Sequence, residues 1–187
     1  MASRQETQTM LDLTTTMWDD SRVYCYQSRG LADPNTLSVF LAGPSSREDI
    51  LEYKWRAFAV HYLRSAGFEG IIYIPEPREN DWTFKETFQG KIVAWESERL
   101  LSASLAFVWL PRHQTQLPGR VTNTELGFLA GMAYADPDKF KDRFIFGCPP
   151  DAWKINSETH WAGLAGTQRH TDLKEMCESA AGRLNNT

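Results

Sequence analysis

The chain has 187 residues, which suits one domain of ordinary size and leaves no room for a large second one. Hydrophobic residues make up 42% of the chain and charged residues 24%, a composition that argues against global disorder. The net charge is -4 and no stripe of lysine and arginine occurs, so polymeric DNA or RNA is not an expected partner.

The sequence carries no membrane or metal signal. No basic start precedes an apolar stretch, and no run approaches the roughly 18 apolar residues of a membrane helix. The cysteines, Cys25, Cys148 and Cys177, are widely spaced without a CxxC pair, which predicts neither a disulfide framework nor a zinc site. Without a GxGxxG or GxxxxGK[ST] pattern, no dinucleotide or P-loop is predicted. We expect a cytoplasmic protein with no membrane contact, no metal and no cofactor.

Residues 1–36 are expected to form an N-terminal extension. Polar residues dominate its first part, including three consecutive threonines at 14–16. A short apolar alternation at 23–26 precedes Gly30 and Pro34, which is typical of a strand followed by a turn. This pattern predicts a flexible tail and then one edge strand.

The remaining residues alternate between strand and helix patterns. The apolar run 37–42 ends at Gly43-Pro44 and predicts a buried strand. Ser46-Arg47-Glu48-Asp49 predicts the capped start of a helix that stops at Ala66-Gly67. Further strands are predicted at 71–74, 105–110 and 144–146, and further helices at 88–103, 122–135 and 171–184.

This alternation predicts that residues 37–187 form one small doubly wound α/β domain. Such a flavodoxin-like or Rossmann-like fold has a parallel sheet with helices on both faces. Ligands bind outside the carboxyl ends of its strands. The loops that begin at Gly43-Pro44, Pro75-Glu76 and Pro111-Arg112 are therefore expected to meet at one crevice.

Glu125 is the carboxylate with the most informative position. It falls in the first turn of the helix predicted at 122–135, directly after the loop from Pro111 to Arg120. The positive end of the helix dipole favours an ionised carboxylate, which a nucleophile at an anomeric carbon requires. Thr122-Asn123-Thr124-Glu125 also fits a capping box, in which Glu125 only binds a backbone N–H group. Spacing leaves both interpretations open.

Six short motifs follow one another at the predicted strand ends and helix starts. They are Leu41-Ala42-Gly43-Pro44, Pro75-Glu76-Pro77-Arg78, Trp95-Glu96, Trp109-Leu110-Pro111-Arg112, Leu117-Pro118-Gly119 and Thr122-Asn123-Thr124-Glu125-Leu126-Gly127. In this order they resemble the nucleoside 2-deoxyribosyltransferase-like family, over residues 37–150. The resemblance implies a flavodoxin-like sheet, no metal, and nucleoside and nucleobase substrates. It also implies that Glu125 is the nucleophile that carries the 2-deoxyribosyl group before another base or water takes it.

The chain departs from the family pattern in two places. Ala103-Ser104 stands where the family usually has Ala-Asp, with the aspartate near the base, and Ile92-Val93-Ala94 replaces a more polar run. Protonation of the leaving base therefore needs another acid.

The remaining acid candidates are Glu76, Glu96 and Glu98, of which Glu76 and Glu96 fit the motifs best. The alternative for Glu96 and Glu98 is a solvated helix face. The alternative for Glu76 is a loop ion pair with Arg78.

Other residues near the predicted crevice are candidates for substrate binding. Gly43 and Pro44 would let the backbone approach a ligand, and Ser45 and Ser46 offer hydroxyl groups; an ordinary turn is the alternative. Among the tryptophans, Trp82 and Trp109 are the better candidates for stacking on a base, although most tryptophans belong to cores. The set is completed by Arg78, Ser104, Arg112 and Asn123.

The sequence thus predicts a transferase that moves 2-deoxyribose between nucleobases and acts as a homo-oligomer. One alternative is a hydrolase of nucleosides, or of nucleoside 5'-monophosphates held by Ser45, Ser46 and an arginine. Another is a nucleotide-binding module that lost the acid at Ser104.

Overall fold

The computed structural model of the chain describes residues 4–28, 33, 35–45, 54–78, 81–115 and 117–186. Within these residues the strands are β1 (Val23–Tyr24), β2 (Ser38–Ala42), β3 (Ile71–Tyr73), β4 (Leu105–Trp109), β5 (Phe144–Gly147) and β6 (Arg169–His170). The helices are α1 (Arg4–Asp19), α2 (Trp55–Ser65), α3 (Trp82–Thr87), α4 (Gln89–Ser102), α5 (Arg120–Ala135), α6 (Pro137–Phe140), α7 (Asn156–Leu164) and α8 (Leu173–Asn185).

The described strands form one parallel sheet in the order β1-β3-β2-β4-β5-β6. Val39 of β2 pairs with Ile72 of β3 on one side and with Leu105 of β4 on the other. The chain leaves β2 toward β3 and then returns across β2 to form β4, so the direction of winding reverses between β2 and β4. The fold is the doubly wound α/β fold that the sequence predicts.

Two hydrophobic clusters cover the two faces of this sheet. Side chains of α1, α2 and α8 pack on one face, where Val39 and Leu41 point. Side chains of α4, α5 and α7 pack on the other face, against Phe40 and Ala42. Because successive strand residues point to opposite faces, strands buried on both sides read as continuous apolar runs. This explains why β2 to β5 are recognisable in the sequence.

The end of α2 confirms the predicted glycine stop. Gly67 has a φ of +83°, and its N–H donates to the carbonyl of Arg64 at 3.0 Å. The N–H of Phe68 donates to the carbonyl of Leu63, also at 3.0 Å. This pair of bonds is a Schellman motif, which needs a residue that tolerates the left-handed conformation. The predicted capped start of this helix at 46–49 lies outside the described residues.

The predicted flexible tail is wrong, because α1 is a helix that packs on the core. Met17 is buried in the cluster that α2 and α8 also form, and Leu13 and Trp18 pack against it. The polar composition around the threonine run hid this narrow apolar face from the sequence pattern. The predicted edge strand is present as β1, which pairs in parallel with β3.

Several short elements were not predicted from the sequence: α3, α6, α7 and β6. Each is short, and α7 leaves Trp161 and Leu164 exposed, so its apolar residues do not follow the spacing of a buried face. These elements are stabilised by packing against the sheet and not by a strong local pattern.

Asp20 connects the end of α1 to α2. Its carboxylate accepts a hydrogen bond from Nε of Arg64 at 2.7 Å and another from the backbone N–H of Arg22 at 2.9 Å. Nη1 of Arg64 donates to the carbonyls of Phe68 and Gly70. Burial raises the pKa of Asp20, but the hydrogen bonds and charges of Arg64 and Arg22 outweigh it and lower the pKa overall.

We expect the contribution of Asp20 to stability to disappear in acid. Its pKa is lower in the folded chain than the value of about 3.9 in an unfolded chain, so the contribution is complete above about pH 4 and is lost as the pH falls through the folded-state pKa. At pH 6, Asp20→Asn should lower the free energy of unfolding by about 1.5–3 kcal/mol. Urea denaturation of both proteins from pH 6 to pH 2 measures this difference. A difference that stays constant across this range would contradict the prediction.

A second prediction concerns Gly43, directly after β2. A Cβ atom there would lie 2.4 Å from the carbonyl oxygen of Trp109 and 2.4 Å from the ring of Trp55. Gly43→Ala should therefore lower the free energy of unfolding by about 1–3 kcal/mol through overpacking. Gly182→Ala is the matched control, because a Cβ at Gly182 in α8 meets nothing within 4 Å. This control should raise stability by about 0.5–1 kcal/mol. Equal effects of the two substitutions in urea denaturation would contradict this packing argument.

Candidate functional site

A pocket opens at the carboxyl ends of β1 and β3, beside the first half of α4. It contains about 230 Å³ of space not filled by protein atoms, part of which is open to solvent. The lining residues are Tyr26, Gln27, Pro75, Glu76, Pro77, Phe84, Ile92, Trp95 and Glu96.

Three aromatic rings form much of the wall of this pocket. The ring centroids of Tyr26 and Phe84 are 6.0 Å apart at an interplanar angle of 46°. Those of Tyr26 and Trp95 are 6.5 Å apart at 86°. The rings thus pack on one another at an angle, and a flat ligand can lie against the face of one of them.

Glu76 and Glu96 enter the pocket from different elements. Glu76 follows β3 in the loop that the sequence singled out, and Glu96 lies on α4 beside Trp95. Both side chains are half-buried. The structure therefore brings together the two acid candidates that best fit the motifs. It does not place Glu96 on a fully solvated helix face.

Arg56 holds Glu76 in place. Nη1 of Arg56 donates to Oε1 of Glu76 at 2.5 Å, and the arginine side chain is only 1% exposed while that of Glu76 is 21% exposed. The predicted alternative, an ion pair between Glu76 and Arg78, is wrong. The guanidinium of Arg78 lies over the ring of Trp18 and donates to its carbonyl, so it joins α1 to the sheet and does not line the pocket.

The same guanidinium organises the loop after β2. Nε of Arg56 donates to the carbonyl of Leu41 at 3.0 Å and Nη2 to that of Gly43 at 2.5 Å. Nη1 also donates to the carbonyl of Pro44 at 3.3 Å and to the hydroxyl of Ser45 at 3.0 Å. Arg56 therefore joins the loops after β2 and β3 through their backbones.

Arg56 was not among the site residues predicted from the sequence. A signal was available, because Arg56 shares one helix face with the buried residues Ala59, Val60 and Leu63. A charged residue on an apolar stripe is buried only when it is paired.

The predicted ligand contacts of the loop after β2 need correction. The space beside Gly43 is filled by Trp55 and the backbone of Trp109, so this glycine allows close packing within the protein. The carbonyl of buried Pro44 accepts from Nε1 of Trp55 at 3.0 Å, and Ser45 binds Arg56. Ser46 lies outside the described residues.

Glu125 does not lie in the first turn of its helix. Gly119 is the N-cap residue with a φ of +63°, and α5 begins at Arg120. The N–H of Asn123 already donates to the carbonyl of Gly119 at 3.0 Å. Thr122 is a buried helical residue and not the cap, so the predicted capping box is not formed. Glu125 is half-buried in the second turn, where the helix dipole acts less strongly than at the end.

Arg112 and Asn123 bind each other and do not line an open crevice. Nη2 of Arg112 contacts Oδ1 of Asn123 and donates to Oε1 of Glu158 at 2.8 Å. Nη1 donates to the carbonyl of Lys154 at 2.8 Å, a residue with a φ of +47°. Arg112 and Glu158 are both buried. This network fixes the start of α5 against β4 and α7.

Three other candidates lie away from the pocket. Ser104 precedes β4 at the amino-terminal ends of the strands, where its hydroxyl accepts from the N–H of Ser38 at 3.1 Å. Since the pocket lies at the carboxyl ends, Ser104 does not line it. Trp109 belongs to the core cluster that α2 and α8 form, which agrees with the alternative that most tryptophans of this chain are core residues. Trp82 is half-buried on α3 and is not among the lining residues.

Within the residues that the structure describes, no group of three His, Cys, Asp or Glu side chains is placed to hold a metal ion. No helix in this part of the chain is long and apolar enough to span a membrane.

No protein-family model matches this chain, and no curated protein is significantly similar to it.

We expect Arg56 to be essential for stability. Arg56→Met removes the donor from three backbone carbonyls and leaves Glu76 unpaired, which should lower the free energy of unfolding by about 3–5 kcal/mol. Arg78→Met is the matched control. It removes a half-buried guanidinium bonded to one carbonyl and should cost about 1 kcal/mol. Urea denaturation measures both. Equal losses of unfolding free energy in the two variants would contradict the prediction that the Arg56 contacts stabilise the fold more than those of Arg78.

Proposed function

We propose that the protein cleaves the N-glycosidic bond of a 2'-deoxynucleoside and transfers the sugar to a second nucleobase, with Glu125 as the nucleophile. The observation that carries this proposal is the pocket in which three aromatic rings and two carboxylates meet at the carboxyl end of a doubly wound sheet. Aromatic faces suit a nucleobase, and paired carboxylates suit glycosidic chemistry. The ordered motifs that resemble the 2-deoxyribosyltransferase-like family support the same assignment.

The order of the strands suits a ligand of two linked rings. The pocket lies at the end of β3, and α5 follows β4, with β2 between these two strands. Neighbouring strands are about 4.8 Å apart, so β3 and β4 are separated by two such spacings. In the proposed complex the base occupies the pocket and the sugar extends past the loop after β2 toward α5.

The two carboxylates of the pocket then take different parts. Nη1 of Arg56 donates to Oε1 of Glu76, and this pairing suits Glu76 to accept a hydrogen bond from the substrate. Glu96, which lines the pocket from α4, is the proposed acid. The Glu125 carboxylate attacks C1', the bond from C1' to the base nitrogen breaks, and the base takes the Glu96 proton. A second base then displaces Glu125 and returns a proton to Glu96.

One observation weighs against the nucleoside 5'-monophosphate alternative. The hydroxyl of Ser45, one of the residues expected to hold the phosphate, is already bonded to Arg56. Transfer to water and binding without turnover remain the outcomes that the experiment below distinguishes.

We expect Glu125→Gln to abolish turnover and keep stability. An amide cannot displace the base, so base exchange should fall by about 10⁴-fold or more. Because glutamine has nearly the same size and reach as glutamate, the melting temperature should stay within about 3 °C of the wild type, which corresponds to a change of roughly 1 kcal/mol or less. Glu98→Gln is the control, since Glu98 is 64% exposed on α4, and it should retain activity.

Mass spectrometry after incubation with a 2-fluoro-2-deoxy nucleoside tests the nucleophile directly. The sugar should be found on the peptide that contains Glu125. A label on another peptide, or normal exchange by folded Glu125→Gln, would refute the assignment. Free base without exchange would instead identify a hydrolase, and binding without any turnover would identify a binding module.

A further inference from the structure

One side of the sheet carries an apolar surface that the described part of the chain leaves uncovered. The helices α4, α5 and α7 pack on this side. Because they connect β3 to β4, β4 to β5 and β5 to β6, α5 lies between the other two. The exposed large apolar side chains of these helices include Val93 and Leu101 on α4, Val121 and Phe128 on α5, and Trp161 and Leu164 on α7. On α2 and α8, which cover the opposite side, no described large apolar side chain is exposed.

The outward face of α5 differs from an ordinary solvated helix face. Between Arg120 at its start and Asp136 after its end, Glu125 is the only charged residue. Val121 is 67% exposed and Phe128 is 51% exposed, whereas a helix turned toward water usually carries charges on that side. An exposed apolar surface of this kind marks a contact with another molecule.

Packing among the described residues does not account for two glycines of α5. A Cβ atom at Gly127 or Gly131 would meet nothing within 4 Å. In a helix interior each glycine costs about 1 kcal/mol relative to alanine. Beside the exposed ring of Phe128, these glycines leave room for the close approach of a second helix, whose bulky side chain would lie over them.

The two ends of α5 carry opposite charges. Arg120 is exposed at the start of the helix and Asp136 is exposed at its end. A second copy of α5 that packs antiparallel, about a two-fold axis at the middle of the helix, brings each Arg120 to the acidic end of the other helix. The same pairing sets Phe128 of each copy against Gly127 and Gly131 of the other. This face is therefore complementary to itself in both charge and shape.

The size of the three-helix face suits a dimer. With 16 residues, α5 is about 24 Å long, and neighbouring helices lie about 10 Å apart. With the shorter α4 and α7 beside it, the face covers roughly 600 Å² in outline, and its accessible surface is larger. Each partner of a standard interface contributes about 800 Å². Because α5 alone supplies less than half of this area, the apolar residues of α4 and α7 belong to the same interface.

We propose that the protein forms a two-fold symmetric dimer in which the α4-α5-α7 faces of two copies pack together. The two α5 helices run antiparallel and meet at Gly127, Phe128 and Gly131. The sequence predicts a homo-oligomer, and this face is its interface. The dimer is independent of the proposed function, because none of its contacts involves a substrate.

Sedimentation velocity over a range of protein concentrations tests the interface. The wild-type chain should sediment as a dimer. Phe128→Glu places like charges at the centre of the contact and should raise the dissociation constant by about 100-fold or more. A wild-type chain that stays monomeric, which would leave this face to a different partner, would overturn the proposal. A dimer of equal affinity in Phe128→Glu would overturn it as well.

Two helix glycines provide a matched pair of variants. Gly131 lies on the proposed interface and Gly182 lies on α8 at the opposite side of the sheet, and a Cβ at either position meets nothing within 4 Å. Both glutamate variants should therefore stay folded, which circular dichroism and thermal unfolding verify. Gly131→Glu should dissociate the dimer, and Gly182→Glu should leave it intact. Equal dimerisation of these two variants would overturn the interface.

Cross-linking tests the antiparallel arrangement. A short bis-maleimide reagent should join two chains that each carry both Arg120→Cys and Asp136→Cys, because each new thiol lies near the other position of the second copy. It should not join chains that carry Arg120→Cys alone, since the starts of antiparallel helices lie at opposite ends of the contact. The native cysteines, Cys25, Cys148 and Cys177, are buried and should not react. Cross-linking of Arg120→Cys alone, or none in the double variant, would overturn this arrangement.

Discussion

The arrangement of the candidate site depends on one buried guanidinium. Arg56 is 1% exposed, and burial of such a charge is unfavourable unless its donors are satisfied. Its hydrogen bonds go to the carbonyls of Leu41, Gly43 and Pro44, where β2 ends and sheet pairing stops supplying partners. The ion pair with Glu76 then connects the loop after β3. One side chain therefore satisfies the backbone of one loop and positions the carboxylate of the next.

Arg112 plays a similar part after β4, with a less complete set of partners. It binds Asn123, Glu158 and the carbonyl of Lys154, but its Nε and the Oε2 atom of Glu158 are buried without a hydrogen-bond partner among the described residues. Unsatisfied buried polar atoms reduce the net gain from such a pair. Because Asn123 lies in α5 two residues before Glu125, this network also sets where the proposed nucleophile stands relative to the sheet.

The sequence was most informative where one local pattern decided the structure. The strands β2 to β5 could be predicted because burial on both faces forces continuous apolar runs. Glu125 was assigned to the wrong turn because Thr122 looks like a cap, whereas Gly119 adopts a left-handed conformation and starts the helix earlier. A Cβ at Gly119 would also lie 3.0 Å from the side chain of Leu110, a constraint that sequence spacing does not reveal.

Site residues were harder to predict than strands because their partners are distant in sequence. Arg56 and Glu76 are 20 residues apart, and Ser104 meets Ser38 across 66 residues. The resemblance to a family directed attention to Ser104 because of a missing aspartate, yet this serine lies at the amino-terminal ends of the strands. Trp95 was one of several tryptophans in the sequence, and only the packing of α4 beside β3 distinguishes it as a wall of the pocket.

The position of the pocket follows from how the sheet ends are packed. Between β2 and β4, where doubly wound folds commonly bind ligands, Gly43 packs against Trp55 and Trp109, and Pro44 lies near Gly119. The open space described here lies one strand further out, where β3 has β1 as its neighbour. The residues that follow β1, Tyr26 and Gln27, form part of its wall. The N-terminal segment, which the sequence presents as an appendage, is therefore part of the proposed binding site, since without β1 and its following turn the pocket would lose one side.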